Sequence, residues 1–242
     1  MRNTRIFVDQ GLSINENISL NETSSNHIAN VLRMKVNEML ILFNGDSFEY
    51  EAIIVAIHRR SIEVAITKKT QKITRSPLHL HLGQGVSRGE KMDWLVQKAT
   101  ETGVQAITPV ITLHCGVQLS TERWEKKQQH WQAIADSACE QSGRTDRLLV
   151  HAPELLTTWL EKSFEGIRLM LEPEASSSLR TLKNPTAIQM LIGPEGGFHQ
   201  DEIAHAIRSG FETISLGPRI FRTETAGLVV SSIAQCLWGD II

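Results

Sequence analysis

The sequence predicts an α/β protein in which a parallel sheet with helices on its faces follows a small β-barrel-like domain. Three observations carry this. Between Glu38 and Thr67, three β-rich runs are separated by the turn signals Asn44-Gly45-Asp46 and His58-Arg59-Arg60-Ser61, the pattern of an antiparallel meander. From Leu78 onward, short apolar runs alternate with amphipathic stretches, as when helices cover both faces of a parallel sheet. Between the two, Lys68 to Pro77 is polar and ends in proline, which places a linker there and divides the chain into 1–72 and 73–242.

In the first domain, Arg5 to Val8 reads as a strand, and Glu22 to Leu32 reads as a helix with Ile28, Val31 and Leu32 on one side. In the second, LHLHL at 78–82 is a strand, Arg88 to Thr102 a helix, AITPVI at 106–111 a strand and Glu122 to Gln141 a long helix. Met92, Leu95, Val96 and Ala99 recur at helical spacing, as do Trp131, Ile134, Ala135 and Ala138. Three further strands, IRLML at 167–171, AIQMLI at 187–192 and TISL at 213–216, each lead into a loop and then a helix.

Composition narrows the function. At 242 residues, 41% hydrophobic and 21% charged, the chain has the texture of a folded globular protein with room for two modest domains. No apolar run has the length of a signal peptide or a membrane span. Cys115, Cys139 and Cys236 are odd in number and form no C-x-x-C pair, which fits a reducing compartment, the cytoplasm by default. The net charge of −2 hides an asymmetry: residues 1–76 hold ten Lys/Arg against eight Asp/Glu, so cation excess lies in the first domain.

The chemistry concentrates in two segments. Ile192-Gly193-Pro194-Glu195-Gly196-Gly197-Phe198 follows a strand and precedes a helix opening with His199, Gln200, Asp201 and Glu202. Glycines at the carboxyl end of a strand permit a close backbone approach to a ligand, and that edge is where α/β sheets bind ligands. Leu216-Gly217-Pro218-Arg219-Ile220-Phe221-Arg222-Thr223-Glu224-Thr225-Ala226 repeats the arrangement, with two arginines and a glutamate in the loop.

This pair, in order and about twenty-five residues apart, resembles the signature of the RsmE-type ribosomal RNA uridine-N3 methyltransferases of the SPOUT superfamily. HIANVLRMKVNEMLILFNG, GEKMDWLVQKATETGVQAITPV and Ala138-Cys139-Glu140-Gln141-Ser142-Gly143-Arg144 extend the resemblance over nearly the whole chain. Asn37 stands where that family often has Gly, and Phe221 where it often has Leu.

The resemblance implies an amino-terminal PUA-like RNA-binding barrel, then a SPOUT domain whose carboxyl end threads a trefoil knot. It implies S-adenosyl-L-methionine as cofactor, ribosomal RNA or the assembled small subunit as partner, and a homodimer. The helix from Glu224 to Trp238 fits the pairing, since Leu228, Val229, Val230, Ile233, Ala234, Leu237 and Trp238 cover more than one face; burial within one subunit is the other reading.

The expected cofactor pocket comprises Leu171, Glu172 and Pro173, then Ile192, Gly193, Pro194, Glu195, Gly196 and Gly197, then Leu216, Gly217, Arg219, Ile220, Phe221, Arg222, Thr223 and Thr225. Arg222, with Glu195 or Glu224, is expected to face the uridine. Methyl transfer needs the acceptor aligned with the activated methyl, and the N3 proton must leave to a carboxylate or water. Capping of the following helices is the plainer role for both glutamates. For RNA, Arg2, Arg5, His27 and Arg33, with Arg88, Lys91 and Arg144, are the expected contacts.

Other readings compete. Gly85-Val86-Ser87-Arg88-Gly89 matches G-x-S-x-G between a strand and a helix, with Asp201 and His205 following in hydrolase order; the alternative for Ser87 is a helix cap. Gly83, Gly85 and Gly89 approximate a dinucleotide fingerprint with one residue too many. His79 and His81 share a strand face without a third ligand at metal spacing, so no metal is expected. A noncatalytic RNA-binding assembly factor would keep the cations but bind no cofactor.

Overall fold

The computed structural model describes residues 4–117 and 119–242. The chain forms two compact units, Met1–Arg75 with Cys139–Arg147, and Ser76–Ala138 with Leu148–Ile242.

The first unit is a five-stranded sheet in the order β1-β3-β4-β5-β2, formed by β1 (Arg5–Phe7), β2 (Asn17–Ser19), β3 (Met39–Phe43), β4 (Phe48–Ile57) and β5 (Ile62–Gln71). β3, β4 and β5 are the expected antiparallel meander, and β1 joins β3 in parallel. The β3–β4 turn is built by Gly45 at φ +95° and by Asp46, whose carboxylate accepts from Phe48 N–H at 3.1 Å and Tyr50 O–H at 2.6 Å. Leu40, Leu42, Tyr50, Ala52, Ile54, Ile62, Val64 and Ile66 alternate inward to make the core, closed by Ile28.

Three details differ from the sequence reading. The expected helix over 22–32 is α1 (Glu22–Asn26), capped by the Asn21 side chain, followed by a wider π-helical turn over His27–Val31. β2 has only three residues and escapes a pattern search. β5 runs on to Gln71 into the expected linker, because Lys68 to Gln71, polar on both sides of the strand, pair with Phe48 to Glu51.

Asn37 has φ +72°. A glycine is at home in that left-handed conformation and asparagine tolerates it, so the departure from the family's residue keeps the backbone course.

Residues 139–147 belong to the first unit through a buried polar lattice. Glu140 accepts from Phe7 N–H at 3.0 Å, and Thr74 bonds Thr145 and Asp146, both at 3.0 Å. The Arg144 guanidinium grips Asp146 at 2.5 Å. Burial alone would push the Asp146 carboxyl up, but Arg144 and Thr74 hold it below the usual range.

The second unit is a seven-stranded, wholly parallel sheet. Its strands are β6 (His79–Gly85), β7 (Ala106–Ile111), β8 (Leu149–Val150), β9 (Glu154–Leu155), β10 (Ile167–Leu171), β11 (Ala187–Ile192) and β12 (Glu212–Ile214). The order is β12-β10-β11-β6-β7-β8, with β9 also on β7. β7 and β11 are buried almost throughout, as befits strands covered on both faces.

The helices are α2 (Lys91–Glu101), α3 (Thr121–Ser142), α4 (Leu156–Leu160), α5 (Gln200–Arg208) and α6 (Thr223–Trp238). α3 spans both units, its last residues from Cys139 counting with the first. No α-helix follows β10, contrary to the sequence pattern; a single 3₁₀ turn, Leu179–Thr181, fills that connection. After β11 the chain passes to β12, beyond β10, and α6 then returns to pack on α2, β6 and β11.

Candidate cofactor and catalytic site

Because β12, β10 and β11 are adjacent and parallel, their carboxyl ends emerge at one edge of the sheet. The loops that leave them enclose a cavity of about 650 Å³, within the range of small-molecule sites. Each of the three expected loops contributes. Leu171 to Pro173 form one wall, Ile192 to Glu195 with Gly197 a second, and Leu216, Gly217 and Arg219 to Thr223 the third.

Local hydrogen bonds hold these loops. Glu172 N–H donates to Ile214 O at 3.0 Å, joining the first loop to β12. Gly197 N–H donates to Pro194 O at 3.0 Å, closing a turn over Glu195 and Gly196, and Gly197 leaves it at φ +68°. The third loop turns at Gly217 with φ +100°. Thr223 donates its hydroxyl proton to Gly193 O at 2.5 Å, bridging the second and third loops.

α5 begins directly behind the second loop with a capping box. His199 accepts from Asp201 N–H at 3.2 Å, and Glu202 accepts from His199 N–H at 2.9 Å.

Two expected pocket residues lie outside the lining, Gly196 and Thr225. Gly196 faces away: a Cβ built on it meets His114 Cβ at 2.9 Å, and the His114 ring lies within hydrogen-bond distance of the Gly196 and Gly197 carbonyls. Conversely, Glu174, Phe198, Gln200, Ile203, Ile214, Ser215 and Ala226 line the cavity without having been expected. Gln200 and Ile203 sit one turn apart at the start of α5, so helical spacing was the available signal for them.

The two candidate carboxylates differ. Glu195 lines the cavity and accepts from Lys91 Nζ at 2.9 Å and Arg88 N–H at 3.1 Å. Partial burial pushes its carboxyl up, but the Lys91 ammonium and the backbone N–H groups of Glu195 and Arg88 more than reverse this. It stays ionised and binds protons weakly. Glu224, in the first turn of α6, does not line the cavity, and its Oε2 is buried without a hydrogen-bond partner among the described residues.

Arg219 and Arg222 are exposed at the cavity wall, and no ion pair engages either among the described residues.

The cations expected to meet RNA divide. Arg2 lies outside the described residues. His27 is half-buried and Arg33 exposed on the first unit; Arg88 is exposed on the second and Lys91 is tied to Glu195.

Arg5 and Arg144 do not fit a role as free phosphate ligands. Their side chains are each only 7% exposed. Arg5 pairs with Glu49, donates to Arg144 O at 2.6 Å and lies over the Phe43 ring. Their charges are spent within the first unit.

The competing motifs resolve into packing. A Cβ on Gly83 would stand 2.2 Å from the Trp159 ring, and one on Gly85 only 2.4 Å from Pro194 N, so both glycines serve close approach. Ser87 is 6% exposed and its hydroxyl faces Gly85 O at 3.5 Å. No hydrogen bond joins it to His205 or Asp201 among the described residues, which removes the hydrolase arrangement. Nor does Ser87 cap α2, whose N-cap is Glu90 without a side-chain bond.

His81 hydrogen-bonds Thr108 at 2.8 Å, and burial, with His151 and His79 nearby, drives its pKa down to about 3; it is a neutral packing residue. Among the described residues no cluster of three or more metal-ligating side chains occurs, and no helix is long and apolar enough to cross a membrane.

Residues 74–235 match the RNA methyltransferase domain family and residues 20–67 the RNA methyltransferase PUA domain family. A curated relative named ribosomal RNA small subunit methyltransferase E, from Buchnera aphidicola subsp. Schizaphis graminum, is 37% identical over 98% of this chain and 97% of its own length. The relative of the same name in Bacillus subtilis is 28% identical over 88% of this chain and 89% of its own.

Among solved structures, a Legionella pneumophila protein in complex with the bound cofactor SAM superposes with a TM-score of 0.96 at 36% identity, covering all of both chains. A ribosomal RNA small subunit methyltransferase E from Neisseria gonorrhoeae bound to S-adenosyl methionine gives 0.92 at 34%, again over both whole chains. The parallel sheet with its loop-built cavity, the PUA unit before it and these full-length similarities lead to one statement: the chain belongs to the RNA methyltransferase family of the ribosomal RNA small subunit methyltransferases E.

Proposed function

We propose that the protein methylates N3 of a uridine in small-subunit (16S) ribosomal RNA, with S-adenosyl-L-methionine held in the cavity at the ends of β10, β11 and β12. The observation that carries this is the convergence of three expected loops on one cavity of about 650 Å³. The cavity suits the cofactor: Leu171, Ile192, Ile214 and Leu216 offer apolar wall for an adenosine, and Gly193, Gly197 and Gly217 expose backbone polar groups at close range. When bound, S-adenosylmethionine supplies a methyl group already activated on a sulfonium.

The protein's own contribution is orientation and charge. Arg222 stands at the cavity wall without a carboxylate partner among the described residues, placed to face the uridine oxygens that gain negative charge as the N3 proton leaves. Glu195 is a poor acceptor for that proton, because Lys91 and two backbone donors already hold its charge. It clamps the start of α2 to the second loop instead, and the proton passes to water, since Glu224 lies outside the cavity lining. His27 and Arg33 on the PUA unit, with Arg88 beside the site, are the proposed contacts to RNA phosphates.

The carboxyl-terminal course, out to β12 and back to α6, is the one expected of a trefoil-knotted end. Two copies pair through α6, whose outer side leaves Ile233 38% and Leu237 45% exposed while Val230 and Ala234 are buried. An apolar strip of this kind favours a protein contact. Assembly and action on ribosomal RNA belong to the cytoplasm.

The test is to incubate the purified protein with labelled S-adenosylmethionine and small subunits from a strain lacking this methylation, and to map the product by mass spectrometry. One N3-methyluridine in 16S RNA, made by a species sedimenting as a dimer, is expected. Binding to the subunit without any methyl transfer would favour the noncatalytic assembly factor.

A further inference from the structure

Gln84 is a polar side chain at the end of β6, 0% exposed, in a strand otherwise made for packing. Burying an amide among apolar neighbours is unfavourable unless its hydrogen bonds are made, so its partners indicate its use. Its Nε2 donates to Gly85 O at 3.2 Å and to Thr223 Oγ1 at 2.7 Å. Thr223 in turn donates to Gly193 O at 2.5 Å.

The polarity of this chain is set by its far end. Gly193 O can only accept, so the single hydroxyl proton of Thr223 is committed to it, and Thr223 must receive its own bond from a donor. The amide must therefore turn its NH₂ toward Thr223, which leaves Gln84 Oε1 buried and unpartnered among the described residues. That carbonyl is aimed at Gly227 of α6, where even an added Cβ would come within 3.2 Å. An acceptor left unsatisfied in this way is unfavourable, and the geometry retains it to keep the donor end on Thr223.

We infer that Gln84 is a positioning residue for methyl transfer: acting through Thr223, it fixes the spacing between the β11 loop and the amino terminus of α6. Gln84 does not line the cavity, whereas Thr223 and Gly193 do. The same turn is braced from a second side, since Gly85 lies against the Gly193–Pro194 peptide. Gly193 is thus held between β6 and α6, and Pro194, which has no N–H, offers no donor that could swing it elsewhere.

This inference rests on the cavity being the cofactor site, and the experiment separates the two. S-adenosylmethionine affinity is measured by calorimetry, and kcat and KM for undermethylated small subunits are measured alongside. The proteins are wild type, Gln84→Met, Thr223→Val, Thr223→Ser and the Gln84→Met/Thr223→Val double variant. Gln84→Met keeps the volume and removes the donor; Thr223→Ser keeps the hydroxyl.

Gln84→Met and Thr223→Val each remove two buried hydrogen bonds, the shared Gln84–Thr223 bond and one more, and each is expected to weaken cofactor binding about tenfold. The double variant is expected to fall no further than the worse single one, because the relay is already broken. Thr223→Ser should stay within about threefold of wild type, and KM for the subunit should not move.

A folded Gln84→Met with wild-type cofactor affinity, or effects that simply add in the double variant, would overturn the assignment. If Gln84→Met does not fold, the Thr223 pair decides: equal affinity of the Val and Ser variants overturns it. A wild type that binds no S-adenosylmethionine would instead sink the reading of the cavity itself.

Discussion

Replacing Arg222 by alanine will lower kcat by about 100- to 1000-fold while shifting S-adenosylmethionine affinity by less than about tenfold, the scale seen when one preorganised electrostatic donor is removed. Deprotonating uridine N3 spreads negative charge onto the ring oxygens, and an arginine with no carboxylate to neutralise it stabilises that charge more than it stabilises the neutral base. Arg222 has no ion pair among the described residues, is exposed, and lines the cavity just before α6.

Arg222→Lys is expected to recover only part of the loss, since an ammonium lacks the planar fork of a guanidinium. Steady-state kinetics with undermethylated small subunits, together with calorimetry for the cofactor, checks both statements. An Arg222→Ala protein that retains more than half of wild-type kcat would remove this residue from the chemistry.

Gly217→Val should weaken S-adenosylmethionine binding by about 10- to 100-fold, with a smaller effect on the stability of the fold. Gly217 lines the cavity at φ +100°, a conformation denied to β-branched residues. A Cβ there meets no protein atom within 4 Å, so the cost is backbone strain of about 1–3 kcal/mol, which the loop relieves by abandoning its shape.

Gly196→Val, which the sequence alone would select for the same purpose, tests something else. Its Cβ presses on His114 at 2.9 Å rather than entering the cavity. Calorimetry on the two variants separates them. Undiminished affinity in Gly217→Val would mean that the third loop does not hold the cofactor.

The contrast between these glycines marks how far the sequence could be read. Strand ends followed by Gly-Pro segments announce a binding edge, and fifteen of the seventeen expected pocket positions line the cavity. Which face of a tight turn looks inward depends on dihedral angles that letters do not carry, and Gly196, expected in the pocket, turns toward His114. The walls contributed by Phe198, Gln200 and Ile203 come from the first turn of α5 folding back over its own preceding loop, a tertiary fact visible only as weak helical spacing.

Arg5 and Arg144 show a second limit. In sequence Arg5 is a cation in the mildly basic segment 1–76, and Arg144 closes the Ala138–Arg144 run that resembles the family. In space Arg5 meets Glu49, forty-four positions away, and Arg144 meets Asp146, with burial tightening both pairs. Exposure decides whether an arginine is free for phosphate, and exposure is a property of the fold.

Elements also went unread where they were short or lacked a period: β2, β8 and β9 have two or three residues each, and the connection after β10 holds only a 3₁₀ turn. The long periodic helices and the buried strands β7 and β11 were legible because their apolar spacing extends over several turns or a full sheet crossing.

The central claim is that one cavity between the 171–173, 192–197 and 216–223 loops receives the methyl donor. A crystal structure of the protein grown with saturating S-adenosylmethionine tests it most directly. The account predicts an adenosyl group against Leu171, Ile192 and Leu216, with its sulfonium methyl open to the side where Arg222 stands. Donor bound elsewhere on the chain, with these loops empty, would contradict it.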